Sequence, residues 1–208
     1  MTIKSFNMKL LIILILSSLL ILASCKQVDS NKNNSLSNSD TAISTANLSS
    51  NEKNLIKIGG IDNYYVFEVI NPKDANKNIT CWVDLFEGGK LKTSFGKLTT
   101  KLQGNDKLKY ISIALNKSSI NTNKRELIMS IITNNAASQG SFVDETDPKL
   151  GEASVANQQQ KVIDGQDINL AAFIQNEGGT SVFNSISENM TELLKNQRVY
   201  IFKCKFEK

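Results

Sequence analysis

The sequence contains no histidine among its 208 residues. Histidine is the commonest general base and the usual imidazole ligand of metals, so its absence excludes Ser-His and Cys-His nucleophile systems and imidazole-held metal sites. Proline occurs only twice, as Pro72 and Pro148, and cysteine only three times. The formal net charge of the whole chain is +4. A mean charge this close to neutral predicts no particular class of partner.

The first 24 residues have the pattern of a secretory signal. Lys4 and Lys9 precede the segment 10–23, which is apolar apart from Ser17 and Ser18. A basic flank followed by a short apolar core is typical of a signal peptide. A permanent membrane span needs about 20 apolar residues, so this core is short for one.

The end of the apolar core carries a family resemblance. Leu22, Ala23, Ser24 and Cys25 read LASC, which resembles the lipobox of bacterial lipoproteins. The resemblance covers residues 1–25 only. It implies that Cys25 receives a diacylglycerol and becomes the mature N-terminus, an anchor on the outer face of the bacterial cytoplasmic membrane. Two acyl chains give stable anchoring where one does not.

The next segment, residues 25–53, is predicted to be a disordered tether after the lipidated cysteine. Between residues 26 and 53 there are seven serines, six asparagines and no aromatic residue. Such a composition cannot bury enough surface to offset the entropy of ordering. We therefore expect the folded domain to span residues 54–208.

Strand signals dominate that domain. Residues 64–70 and 79–87 are rich in aromatic and β-branched residues, and Gly88-Gly89 joins the second run to 90–95, which predicts a hairpin with a primed turn. A shift of apolar parity at Gly96 predicts a β-bulge. Further strands are predicted at 108–115, 126–133, 168–175 and 198–206, with a weaker one at 153–163. The run 126–133 is apolar on both parities and is expected to be central and covered on both faces.

One short helix is predicted near residues 186–195. Ser185 and Glu188 fit a capping box, and the apolar residues after them repeat at helical spacing. Many strands and one helix without strand-helix alternation favour a mainly β fold, an antiparallel β-sandwich. An immunoglobulin-like sandwich is the favoured variant, although Trp82 directly follows Cys81 and lacks the spacing of true immunoglobulin domains.

Cys81 and Cys204 share sequence parity with apolar neighbours, so both are expected to point inward. In an exported domain they could form a disulfide that contributes about 2–4 kcal/mol. The alternative is a pair of buried thiols that act as small hydrophobic groups. A metal site built from two cysteines is disfavoured, and no metal or other cofactor is expected beyond the covalent lipid on Cys25.

The charges are unevenly distributed along the chain. Residues 90–125 contain nine basic residues against Asp106 alone, whereas residues 141–192 contain nine acids against Lys149 and Lys161. A basic face for an anionic partner is one interpretation. The candidate residues are Lys90, Lys92, Lys97, Lys101, Lys107 and Lys109. Ordinary solvated strand faces, with lysines protecting exposed edges, are the other interpretation.

Nucleic acid is not an expected partner, because the basic stretch has only Phe95 and Tyr110 for stacking. The segment 142–152 is predicted to be a solvated acidic loop, since its spacing does not match a calcium-binding loop. Glu68, Asp84, Glu87 and Glu126 could in principle supply a pair of catalytic carboxylates, but the sequence gives no reason to pair any two of them.

The sequence therefore favours a non-catalytic binding module, held at the membrane by Cys25 and directed at an envelope polymer or another exported protein. Two alternatives remain. One is a cell-envelope hydrolase that uses carboxylates alone, and the other is a structural subunit of an envelope assembly.

Overall fold

A computed structural model describes residues 40–61, 63–72, 77–117, 123–145, 147, 149–179 and 183–207. The predicted signal peptide, Cys25 and residues 26–39 of the predicted tether lie outside these residues. In chain order the elements are β1 (Ala42–Thr45), α1 (Ser50–Ile58), β2 (Asn63–Ile70), β3 (Asn78–Glu87), β4 (Lys90–Lys101), β5 (Leu108–Lys117), β6 (Lys124–Thr133), β7 (Ala137–Glu145), β8 (Gly151–Ala156), β9 (Gln159–Lys161), β10 (Asp167–Asn176), α2 (Ile186–Leu193) and β11 (Arg198–Glu207).

The strands form two sheets. The front sheet has the order β7-β6-β5-β2-β1-β9, and the back sheet has the order β4-β3-β11-β10-β8. Every strand pairing in the described part of the chain is antiparallel. The predicted antiparallel β-sandwich is therefore confirmed. The strand count exceeds the seven or nine of immunoglobulin domains, and the immunoglobulin-like variant remains a prediction.

The main core lies between the two sheets. On β6 every second side chain is buried, and Leu127, Met129 and Ile131 are at most 1% exposed. The facing side chains come from the back sheet, where the Phe173 ring lies 6.0 Å from that of Tyr65 on β2. This alternation of buried and exposed residues is what a sheet with one covered face requires.

The expectation for β6 was only half correct. The strand does lie inside the front sheet, between β5 and β7, but Ile128 and Ile132 on its second face are only half-buried. The physical reason is the position of helix α2, which packs on the outer face of the back sheet instead.

Helix α2 confirms the helix predicted near residues 186–195. Its apolar side packs against Ala172, Ile174, Val199 and Ile201 of the back sheet. The predicted terminator Asn196 donates its side-chain amide to the carbonyl of Leu193 over 2.8 Å. The side chain of Glu188, half of the predicted capping box, lies outside the described residues.

The glycine-based predictions are confirmed at the β3–β4 hairpin. Gly88 and Gly89 have φ values of 55° and 80°, as a type I′ turn requires. The pairing of β3 with β4 shifts register between Cys81 and Val83, and Gly96 opposite this shift has a φ of 69°. The bulge thus stands where the apolar parity predicted it.

The folded region begins before the predicted boundary at residue 54. Strand β1 pairs with β2 and β9, and its Ala42 and Ile43 are each 2% exposed. Helix α1 then begins at a capping box, in which Ser49 and Glu52 satisfy each other's backbone N–H groups. The Ser-x-x-Glu spacing was present in the sequence, but the polar composition around it concealed the signal.

Two further segments differ from their predicted structure: the predicted acidic loop, 142–152, and the weak strand predicted at 153–163. Residues 142–145 belong to β7, and Glu152 belongs to β8. The run 153–163 is split between β8 in the back sheet and β9 in the front sheet. These strands are polar edge strands, so they lack the apolar alternation on which sequence prediction depends. Neither helix in the described part of the chain is long and apolar enough to cross a bilayer.

Candidate functional site

The six candidate lysines do not form one face. Lys90, Lys92, Lys97 and Lys101 are all exposed along β4, an edge strand of the back sheet. Lys107 and Lys109 are also exposed, but Lys107 directly precedes β5 and Lys109 lies in β5, in the front sheet. The structure therefore brings four of the six together, and we call these four the basic edge.

A groove lies on the back sheet beside the basic edge, with a volume of about 340 Å³. Its lining residues include Trp82, Phe95, Lys97 and Lys205. The Trp82 indole N–H donates to a carboxylate oxygen of Asp84 over 3.1 Å, which fixes the orientation of the ring. A groove with an oriented indole beside lysines can contact a ligand through both stacking and charge.

Asp84 is itself held by one cation, Lys203, and one hydroxyl, that of Ser94. Its Oδ2 lies 2.7 Å from the Lys203 Nζ, and its Oδ1 accepts a hydrogen bond from Ser94 over 2.5 Å. The carboxylate is 7% exposed, so the ion pair with Lys203 compensates its burial. Asp84 is therefore engaged in structural contacts beneath the groove.

A second polar feature lies at one end of the sandwich, and sequence reasoning missed it. Arg125 of β6 forms an ion pair with Glu152 of β8, and the Gln175 side-chain amide donates to the same Glu152 oxygen over 3.2 Å. Arg125 and Gln175 are only 6% and 3% exposed. These three residues join the two sheets with polar contacts in an otherwise apolar core.

Arg198, Asp144 and Tyr200 extend this feature. The Arg198 Nη2 lies 2.7 Å from the Asp144 Oδ2, and the Tyr200 hydroxyl donates to the same oxygen over 2.9 Å. Burial raises the pKa of Tyr200 well above its usual range, and the nearby Asp144 charge raises it further. The six residues are Arg125, Glu152, Gln175, Arg198, Asp144 and Tyr200, and we call them the charged cluster.

The two inward-facing cysteines are direct neighbours. Cys81 on β3 and Cys204 on β11 stand opposite each other in the strand pairing, both are buried, and both are free thiols. Burial raises the pKa of the Cys81 thiol to about 12, and it also raises the pKa of Cys204. The register supplies the proximity that a disulfide needs, and the disulfide itself stays a prediction. Cys25 lies outside the described residues.

The carboxylates considered for catalysis are distributed over both sheets. Glu68 and Glu126 lie on β2 and β6 in the front sheet, whereas Asp84 and Glu87 lie on β3 in the back sheet. Glu87 accepts a hydrogen bond from Lys92 over 2.7 Å. Within the described ranges there is no group of three or more cysteine or carboxylate side chains that could hold a metal ion.

Comparison with known proteins identifies the domain. No curated protein and no solved structure matches the chain. A family model, described as the YgaN domain, matches residues 42–206. The match begins at the first residue of β1 and ends within β11, so it covers the whole sandwich. The chain therefore belongs to the YgaN domain family.

Proposed function

We propose that this protein is an extracytoplasmic lipoprotein, anchored to the membrane through a lipid on Cys25, whose sandwich is a non-catalytic binding module. The partner is an exported protein that presents an acidic extended segment. The observation that carries this proposal is the basic edge, the four exposed lysines on the 12-residue edge strand β4.

An edge strand suits a polypeptide partner for a physical reason. Among the described strands, β4 pairs with β3 alone, so backbone N–H and C=O groups on its other side can receive another strand. In binding by strand addition, the backbone bonds supply affinity and the side chains supply specificity. The lysines of the basic edge disfavour a second copy of β4 through like-charge repulsion, and they favour an acidic strand.

A binding measurement tests the partner. We would titrate the full-length protein in detergent micelles with a fluorescent ten-residue peptide of alternating Glu and Val. The double substitution Lys97→Glu/Lys101→Glu is expected to weaken binding at least about tenfold, because two attractive contacts become repulsive. The matched control is Lys107→Glu/Lys109→Glu, which makes the same charge change on the front sheet and should leave the affinity within about twofold.

Inorganic polyphosphate provides the polymer arm of the same experiment. If polyphosphate binds and the peptide does not, the partner is an anionic polymer and the strand-addition proposal is wrong. Equal losses in the two double variants would show an effect of net charge alone and would also contradict the proposal.

The anchor is tested separately in cells. Replacement of Cys25 by Ala should move the protein from the membrane fraction to the soluble fraction and abolish incorporation of a labelled fatty acid. Retention in the membrane without the label would contradict lipid attachment, whatever the peptide experiment gives.

A structural role in an envelope assembly is favoured by a different observation. Helix α1 has no buried residue, and its Leu55 and Ile58 are 68% and 82% exposed. Apolar side chains one helical turn apart are typical of a helix that contacts a partner. Under this alternative, Leu55→Ser/Ile58→Ser should lower the mass of a complex isolated from membranes, whereas the substitutions in the basic edge should not.

A further inference from the structure

A cavity of about 170 Å³ lies between the two sheets beside the charged cluster. Its lining combines front-sheet residues, among them Leu115 and Arg125, with back-sheet residues, among them Glu152, Phe173 and Gln175. An engineered apolar cavity of about 150 Å³ is known to hold benzene. This cavity therefore has room for a molecule of about six non-hydrogen atoms.

Two polar atoms at the cavity have no hydrogen-bond partner among the described residues. They are the Arg125 Nε, which is a donor, and the Gln175 Oε1, which is an acceptor. The Arg125 Nη2 and the Gln175 Nε2 both donate to the same oxygen of Glu152. The two unpartnered atoms therefore lie on neighbouring side chains. An unsatisfied buried polar group costs about 1–3 kcal/mol, so a ligand that satisfies both atoms gains affinity.

The charges restrict which ligand can do so. Arg125 is neutralised by Glu152, and Arg198 by Asp144. An anionic ligand would face the Glu152 carboxylate, and a cationic ligand would face the Arg125 guanidinium, with little water to screen either repulsion. An uncharged group that both accepts and donates, such as an amide or a hydroxyl, satisfies both unpartnered atoms without this cost.

The remaining walls suit an apolar tail. Leu115 and Phe173 of the main core line the same cavity, and they are 7% and 3% exposed. Most small-molecule sites are of this kind, with apolar walls and a few placed polar groups.

We propose that this cavity is a binding site for a small uncharged molecule of about six non-hydrogen atoms, with a short apolar chain and an amide or hydroxyl head. The head accepts a hydrogen bond from the Arg125 Nε and donates one to the Gln175 Oε1. The site does not depend on the basic edge or on its partner.

Four probes of nearly equal size test the choice of head group: butyramide, 1-butanol, butyrate and butylammonium. We would titrate each into the isotope-labelled full-length protein in micelles and follow the Arg125 Nε–H and Gln175 side-chain amide signals by NMR. Butyramide is expected to bind with a dissociation constant of about millimolar, given the ligand efficiency of such small molecules. The relative affinity of 1-butanol shows whether the amide or the hydroxyl fits better.

Two outcomes would overturn the proposal. If no probe shifts either signal, the cavity holds water only. If butyrate or butylammonium binds more tightly than butyramide, the site selects a charged head and the argument from neutralised ion pairs is wrong.

Substitution locates the binding. Gln175→Met keeps the length of the side chain and removes the unpartnered acceptor, so butyramide affinity should fall at least about fivefold. The control is Gln160→Met on β9, where Gln160 donates to the Asn169 carbonyl over 2.9 Å and does not line the cavity. If Gln175→Met fails to fold, Leu115→Phe fills part of the cavity without removing a polar group and should weaken all probes together.

Discussion

The basic edge and the charged cluster both contribute to ion pairs, but in opposite environments. Lys92 of the basic edge reaches Glu87 with side chains that are 57% and 36% exposed, whereas Arg125 reaches Glu152 with side chains that are 7% and 20% exposed. A charge on an exposed strand keeps its hydration and contributes little to stability. A charge inside the sandwich has lost its hydration and depends on its partner. The same Coulomb attraction therefore has different consequences at the two places.

The largest effect is expected from removing one member of the buried pair. Arg125→Met removes the Arg125 guanidinium from the ion pair with Glu152 and should lower the free energy of unfolding by about 3–5 kcal/mol, measured by urea denaturation. Lys92→Met is the exposed control and should change it by less than about 1 kcal/mol. If Arg125→Met fails to fold, Arg125→Met/Glu152→Met should recover most of the loss, because no unpaired charge then remains. Equal effects of Arg125→Met and Lys92→Met would remove the distinction between the two regions.

A smaller effect is expected where strand β4 contacts β7, the strand of Asp144. A Cβ added at Gly96 would lie 2.4 Å from the Phe142 ring, at a φ of +69°. Gly96→Ala should therefore cost about 1–3 kcal/mol through backbone strain and this clash. Gly104 also has a positive φ, of +56°, but its added Cβ would meet nothing within 4 Å. If Gly104→Ala costs as much as Gly96→Ala, the Phe142 contact does not hold β4 in place.

The buried thiols sharpen the comparison because burial should keep both of them protonated and uncharged in the folded protein. The pKa of Cys81 is about 12 in the folded chain against 9.0 for an ordinary thiol. The stability contributed by the neutral thiol is therefore complete below about pH 9 and is lost as the pH rises toward 12. In the reduced protein we expect the free energy of unfolding to fall by about 1 kcal/mol per thiol between pH 8 and pH 10.

Cys81→Ala should make that pH dependence shallower, as should Cys204→Ala. The measurement ends at pH 10, near the ordinary pKa of tyrosine, so that each tyrosine of the unfolded chain contributes less to the slope than a thiol does. A flat profile in the presence of reductant would contradict the assignment of neutral buried thiols, and a flat profile only in its absence would indicate a Cys81–Cys204 disulfide.

The smallest effect is expected on the basic edge itself. Lys101→Ala, at an exposed position of β4, should change the free energy of unfolding by no more than about 0.5 kcal/mol. A loss above about 1 kcal/mol would mean that the lysine supports the fold, and its availability to a partner would be in doubt.

The sequence predicted those features that have a local physical cause. Gly88 and Gly89 permit the primed turn, Gly96 permits the bulge, and the spacing of Ile186, Met190 and Leu193 produces one apolar side of α2. Each of these signals acts within a few residues along the chain. The sandwich class followed from the many strand signals and the single helix signal, without strand-helix alternation.

The features that the sequence did not predict depend on distant residues. Arg125 was counted with the basic stretch and Glu152 with the acidic stretch, although the two form one ion pair between the sheets. Ala42 and Ile43 stand in a polar context and are buried only because β2 and β9 flank them. No local pattern encodes which strand will lie opposite another, so the cavity and the charged cluster could not be located in advance.

The position of β11 has a consequence for the order of folding. This strand is the last of the described strands in chain order, yet it stands between β3 and β10 in the back sheet. Until it arrives, the β4–β3 hairpin and the β10–β8 pair have no strand to join them. Because such long-range pairing carries a large loop-closure entropy, the closing step of the sandwich should be slow and cooperative. A polypeptide synthesised from its N-terminus therefore stays unfinished until residues 198–207 emerge, and it remains open to chaperones and proteases for that interval.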